Sequence, residues 1–376
     1  MILGLEDGKV ALYPHDAEWE KTAQETIARI CSIMGEDALD LQHIGGTSIT
    51  CAYAKPIIDI QVLVKDFSVV DRYLPALEKM GMEYFGLILP RQAMGVLRTP
   101  DGKGQTHHIH FHVPEGEAWE ETINIRDLCN SDPLAGKVYS DSKLEYAKGN
   151  EEVRLNYREE KNNMYVVLRQ VGQARKEREA GLKSGRDFID DFFYAALGHL
   201  EDIAVKDNDR AVKYKELCGL AVRAAVKLKQ NFIARGSWIL LAMEDSVETI
   251  AAFYAILYYG CSVILMDPSA DEMTIRYLQE ENSAALVIRR SFFFDIMEYR
   301  EHRKEAPHTA DDPACITAED AFYTYGKLSA AVQETAASAD FAEPLAVKPG
   351  DLSKFETLKQ VLACLSKGGR ILLGKE

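Results

Sequence analysis

The chain has 376 residues, 47% apolar content and a formal net charge of −15, which is enough for two domains, each with its own hydrophobic core. The excess of acid argues against a broad footprint on nucleic acid or an anionic membrane, since either needs clustered Lys and Arg. Seven cysteines stand singly with no CxxC pair, which fits neither a zinc ribbon nor a disulfide framework. The N-terminus lacks a basic-then-apolar leader, and no apolar run approaches the ~20 residues of a membrane span; a cytoplasmic location is expected.

Residues 17–34 read as a helix, with Ile27, Ile30, Cys31 and Met34 at helical spacing. The stretch "HIGGTSITCAYAKPIIDIQV", residues 43–62, comes next. If its last part is a strand, Ile58, Ile60 and Val62 point to one face, and Ile57, Asp59 and Gln61 to the other. A carboxylate leaving a sheet beside a glycine turn suits a divalent cation. Gly45, Gly46, Thr47 and Ser48 supply backbone N–H groups and hydroxyls able to hold a phosphate. The plainer alternative is a tight turn ahead of a helix.

In "HHIHFHV", residues 107–113, the same alternation puts His108, His110 and His112 on one face. Three imidazoles there can bind a metal, act as acid or base, or hold an anion. A solvated edge strand is the plainer reading, but it gives no reason for histidine to recur at three alternate positions. A charge-rich helical stretch covers 141–176. The segment "KEREAGLKSGRD", 176–187, has few apolar residues and two glycines, and it is read as the boundary between domains 1–176 and 187–376.

In the second domain Leu217, Leu220, Ala221, Ala224 and Leu228 form one helical stripe. The apolar runs "WILLAM", "CSVILM" and "AALVI" are separated by helical segments. Runs apolar on both faces between helices indicate a parallel sheet covered on both sides.

Residues 10–174 resemble the GrpB-like family of the nucleotidyltransferase superfamily. The resemblance rests on "VALYPHDAEWEKTA", "HIGGTS" with "AKPIIDIQV", "HHIHFHVPEGEAW", "IRDLCNSDPLAGKVYSDSK" and "REEKNNMYVVL". It implies a small mixed α/β domain whose site combines a glycine-led turn with a strand carboxylate. Nucleotidyltransferases of this superfamily pair two carboxylates, one residue apart, to hold Mg2+ ions that bridge nucleotide phosphates. Here Gln61 takes the second place. Asp59 with His110 or His108 would then complete a one-metal site for Mg2+ or Mn2+, and a histidine not used as ligand would serve as base. His43, Lys55, Arg126 and His112 are the further residues expected to face substrate. Where the family reads "TAVPGL" after its glycines, this chain has "TSITCAY". The implied activity is metal-dependent transfer of a nucleotidyl or phosphate group to a small acceptor, with a nucleotide or phosphorylated small molecule as partner. Gln61 motivates the alternative of a non-catalytic nucleotide sensor or scaffold.

Residues 187–288 resemble the start of the adenylate-forming superfamily, in particular the adenylation domains of peptide synthetases. "FIDDFFYAALGHLEDIAVKDNDRAVKYKELCGLAVRAAVKLKQ" and "VETIAAFYAILYYGCSVILMDPSADEMTIRYLQEENSAALVI" carry the likeness. It implies a partial parallel-sheet α/β domain. In that family a Gly/Ser/Thr-rich loop wraps the ATP phosphates where this chain, after "DDPACI", places Ala318, Glu319 and Asp320 ahead of Gly326 and Lys327. Two acids would repel a triphosphate, and the later motifs of the family have no counterpart. The expectation is an AMP-binding-like module unable to adenylate, with an open sheet edge that invites a homodimer.

Overall fold

Alternate apolar side chains of the strand Ile58–Val64 point to a single side, and that side is the core of the first of two units. The computed structural model describes residues 1–376 except 90, 115–116, 149–153, 208–209, 299–307, 319–320 and 375–376. It is mixed α/β and divides into Met1–Lys161 and Asn162–Glu376.

In the first unit the sheet runs in the order Ala38–Ile44, Ile58–Val64, Gly104–His112, Gln92–Arg98, Met82–Leu89, and Leu5–Glu6 pairs with the start of Gly104–His112. Among the described strands of this sheet, Ile58–Val64 and Gly104–His112 are parallel neighbours and the other pairs are antiparallel. Ile58, Ile60, Val62, Ile109 and Phe111 pack with Ala23, Ile30 and Met34 of helix Glu18–Met34 and with Val69, Val70 and Leu77 of helix Phe67–Lys79. Each buried Val, Ile, Leu, Met or Phe among them contributes roughly 1.5–3 kcal/mol. The two helices thus cover one face of the sheet, and Asp59, Gln61 and the alternate histidines are left on the other. Helix Glu117–Ser131 lies against that second face, followed by helix Pro133–Lys148.

The second unit contains the expected parallel sheet. Leu286–Ile288, Trp238–Leu241, Ser262–Leu265 and Pro313–Ile316 are parallel neighbours in that order, and Phe322–Thr324 closes the edge antiparallel. Helix Tyr214–Gln230 differs from the single stripe expected: Cys218, Val222, Arg223, Val226 and Lys227 are buried as well as Leu217, Ala221, Ala224 and Leu228, while Leu220 is only half-buried. A helix with neighbours all round loses the polar face that periodicity presupposes. A second sheet, Ala211–Lys213, Ile203–Lys206, Ile371–Leu373, Leu345–Val347, was not legible, because strands of three or four residues are too short to display alternation.

The unit division falls within helix Arg154–Glu179, ahead of the 176–187 segment. From position 163 that helix is largely buried in the second unit, with Tyr258 donating to Gln170 at 2.7 Å. Residues 180–187 form a turn before helix Phe188–Gly198, built around a buried cation: Lys183 Nζ lies 2.7 Å from Asp187, 2.8 Å from Asp190 and 3.8 Å from Glu177. All seven cysteines are free thiols. Among the described residues, no helix is long and apolar enough to cross a membrane. Glu319 and Asp320, on which the argument against adenylation turns, lie outside the described residues.

Candidate metal and phosphate site

The parallel register pairs Asp59 with His108 and Gln61 with His110. Partners in register share a face, so the carboxylate of Asp59 meets the imidazole row. His108 Nδ1 is 3.0 Å from Asp59 Oδ1, and His110 Nε2 is 3.6 Å from the same oxygen. One ligand atom from each of the three lies within 4.8 Å of the others, and all three residues are half-buried. Burial pushes the Asp59 carboxyl up, but the hydrogen bonds and charge of His108 and His110 outweigh it and hold the group well below the ordinary carboxylate range.

The hydrogen bonding of His108 bears on what the cluster can hold. Its Nδ1 faces a carboxylate oxygen, and its Nε2 faces Gln105 Oε1 at 2.6 Å. Both are acceptors, and a neutral imidazole has one N–H. With a cation at Nδ1, the Nε2 proton serves Gln105 and the lone pairs of Nδ1 and Asp59 converge on the ion. This is the outer-shell pattern of metal-bound histidine. Gln92 Nε2 is 3.0 Å from His110 Nδ1; ligation through Nε2 of His110 asks for that amide to be turned over, so that its oxygen accepts from Nδ1–H. One carboxylate and two imidazoles fit a divalent transition ion better than Mg2+, which prefers all-oxygen shells.

The glycine turn is shaped around the same carboxylate. Gly45 has φ 73° and ψ −167°, and a Cβ there would run into Asp59 Oδ2. A Cβ on Gly46 would stand 2.5 Å from Lys143 Nζ. The pair of glycines therefore admits Asp59 to one residue and Lys143 to the next. Lys55 is exposed as a residue; partial desolvation of its ammonium and then the charge of Lys143 lower its pKa, with Asp59 opposing. Among the described residues, neither lysine has a carboxylate within ion-pair distance; the Lys143 ammonium sits over the ring of Tyr139 at 4.6 Å. Two cations beside one carboxylate leave net positive charge for an anion.

Other residues expected at the site are spent elsewhere. Gln61 is fully buried; its Nε2 donates to Trp119 O at 3.0 Å, and its Oε1 accepts from Thr122 at 2.8 Å. It fastens helix Glu117–Ser131 to the sheet and, so bonded, offers no ligand atom. His112 is 2% exposed against the edge of Trp119, and burial lowers its pKa to about 4. His43 is buried with both nitrogens engaged, Nδ1 with Glu20 Oε2 at 2.6 Å and Nε2 with Thr47 Oγ1 at 3.0 Å. Burial lowers its pKa against the pull of Glu20. Ser48 donates to Gly45 O at 2.7 Å, so both turn hydroxyls are already committed and what the turn presents is backbone. Arg126 donates to Gln42 Oε1 and His43 O, each at 2.9 Å, and pairs with Asp127; it braces the strand that leads into the turn.

Lys143, Gln105 and Gln92 were not singled out from the sequence. Lys143 closes the "IRDLCNSDPLAGKVYSDSK" stretch, yet a lysine in a charged helix has no local mark of its use. The glutamines are visible only once the strands are in register.

Residues 9–170 match the family model described as GrpB protein. The N-terminal region is thus of the GrpB family, and residues 192–352 match the model described as AMP-binding enzyme. The chain is 29% identical over 150 residues to glutamate-rich protein GrpB of Alkalihalophilus pseudofirmus, covering 39% of this chain and 86% of that protein. Among solved structures, the conserved protein GrpB from Enterococcus faecalis is 26% identical, with 37% of this chain and 83% of that one covered and a TM-score of 0.34. Coronafacic acid ligase from Pectobacterium brasiliense is 20% identical with a TM-score of 0.46, and the match spans 51% of this chain but only 46% of the ligase.

Proposed function

We propose that the GrpB unit binds a divalent transition ion through Asp59, His108 and His110 and uses it in nucleotidyl or phosphate-group transfer from a phosphorylated small molecule. The observation that carries this reading is the convergence of three ligand atoms within 4.8 Å beside the lysine pair Lys55 and Lys143. A bound ion would supply Lewis-acid polarisation of a phosphoryl oxygen. The chain's own groups would do the rest. Lys143 and Lys55 neutralise the phosphate, the Gly45–Gly46 backbone lets it approach, and Gln105 fixes the His108 tautomer with Nδ1 free. With Gln61 tied to its helix the site has one carboxylate where the superfamily pairs two, and this favours a second reading, a sensor that binds nucleotide without turnover.

The test is thermal stability with Mn2+, Zn2+ and Mg2+, alone and with nucleoside triphosphates, on wild type and Asp59→Ala. Ligand at about a hundredfold excess over its dissociation constant stabilises by about 2.7 kcal/mol. Ion-dependent stabilisation by nucleotide, lost in Asp59→Ala and accompanied by release of pyrophosphate (nucleotidyl transfer) or of nucleoside diphosphate (phosphate-group transfer), supports transfer; the same with neither product supports the sensor. No response to any ion sinks both. For the AMP-binding unit the proposal is absence of adenylation, given Glu319 and Asp320 at the phosphate-loop position; amino-acid-dependent ATP–pyrophosphate exchange would refute it.

A further inference from the structure

We infer that the second unit carries a separate binding site for a small organic anion, between the turn that bears His199 and Asp202 and the turn that bears Gly368 and Arg370. These residues, with Phe341 and Pro344, line a cavity of about 490 Å3, within the size range of small-molecule sites. His199 Nδ1 is 2.7 Å from Asp202 Oδ2. A carboxylate only accepts, so the proton is on Nδ1 and the ring orientation is fixed. The opposite edge of the ring lies against Gly368, where φ is +79° and a Cβ would overlap Cδ2 and Nε2. That turn is held rigidly: the buried Tyr214 donates its hydroxyl to Gly369 O at 2.6 Å.

The charge bookkeeping selects the ligand. Glu201, which also lines the cavity, is met by Lys213 at 2.7 Å and Lys215 at 2.6 Å, two cations that together offset the charges of Glu201 and Asp202. Arg370 is exposed, and among the described residues no hydrogen-bond acceptor or carboxylate partners its guanidinium. The unspent charge at the cavity is therefore positive and has the planar fork that suits a carboxylate or phosphate. Phe341, Pro344 and Ile203 offer an apolar wall for the ligand's body. The chemistry that fits is a carboxylate or phosphate monoester on a small apolar or aromatic frame. The inference is independent of the metal site in the first unit.

The experiment is an NMR titration of the full chain with benzoate and, separately, phenyl phosphate, following the His199 ring signals assigned with His199→Gln. The expected result is a saturable shift with at least one probe, weakened about tenfold or more in Arg370→Ala and unchanged in Asp59→Ala. Which probe saturates identifies the anion. Because Arg370 is exposed, its replacement leaves the fold in place. Absence of a saturable shift with both probes, or an Arg370→Ala protein that titrates as wild type does, overturns the site.

Discussion

The carboxylate of Asp59 lies so close to the α-carbon of Gly45 that a methyl group on residue 45 would overlap Oδ2. The backbone there, φ 73° and ψ −167°, belongs to a region essentially reserved for glycine. Gly45→Ala therefore meets two penalties, backbone strain of about 1–3 kcal/mol and displacement of the carboxylate from the histidines. Gly35, at φ 57° with open space around it, provides the comparison. Gly35→Ala should lower the urea midpoint but leave ion binding intact, whereas Gly45→Ala should lower both.

Lys143 stands over Gly46, while Asp59 meets the preceding residue, Gly45. If it serves the phosphate and not the ion, Lys143→Met should leave the Mn2+ affinity unchanged and weaken nucleotide binding about tenfold. Calorimetric titration of each ligand separates the two. Equal affinity for nucleotide in wild type and variant would remove Lys143 from the site.

On the proposed reading Gln61 stands where a nucleotidyltransferase would carry its second carboxylate, so Gln61→Glu reads as a restoration. The structure predicts the reverse. Glutamate would turn a donor to Trp119 O into an acceptor and place a charge where the side chain is fully buried, at a cost of about 1–3 kcal/mol or more. Gln61→Glu should be less stable in urea than Gln61→Met and should bind the ion no more tightly than wild type.

How much was legible follows from what each element depends on. The faces of Ile58–Val64 and Gly104–His112 follow from alternation alone, so the meeting of Asp59 with His108 and His110 was within reach once the strands were paired. The fates of Gln61, His43 and Arg126 were not, because each depends on a residue distant in sequence: Trp119 and Thr122, Glu20, and Gln42. The same holds at 176–187. Few apolar residues and two glycines mimic a linker, but Lys183 at its centre is buried among Glu177, Asp187 and Asp190, and a pattern based on hydrophobicity has no term for a buried ion cluster.

That cluster yields its own prediction. Burial alone would lower the Lys183 pKa, but Asp187 and Asp190 outweigh it and hold the ammonium above its ordinary range. Removing one partner of a buried ionic group leaves the others uncompensated, typically at about 3–5 kcal/mol. Lys183→Met should destabilise the second unit by that order in urea, and Lys183→Arg by much less. A Lys183→Met protein as stable as wild type would mean that water reaches the carboxylates.

The pH dependence of the first unit should be set partly by His107 and His112, whose pKa values burial lowers to about 4 each. In the unfolded chain they titrate near 6.5. Between about 4 and 6.5 the unfolded state binds protons that the folded state does not, so stability rises with pH across that window. The contribution is complete above 6.5 and is lost as pH falls toward 4. Each fully coupled histidine gives a slope of about 1.4 kcal/mol per pH unit. His112→Phe keeps a ring beside Trp119, which His112 meets edge-on at 5.9 Å between centroids, and removes one titrating group. Urea midpoints between pH 4 and 7 should therefore fall less steeply with acid in His112→Phe than in wild type, and identical slopes would show that the imidazole is protonated in the folded protein.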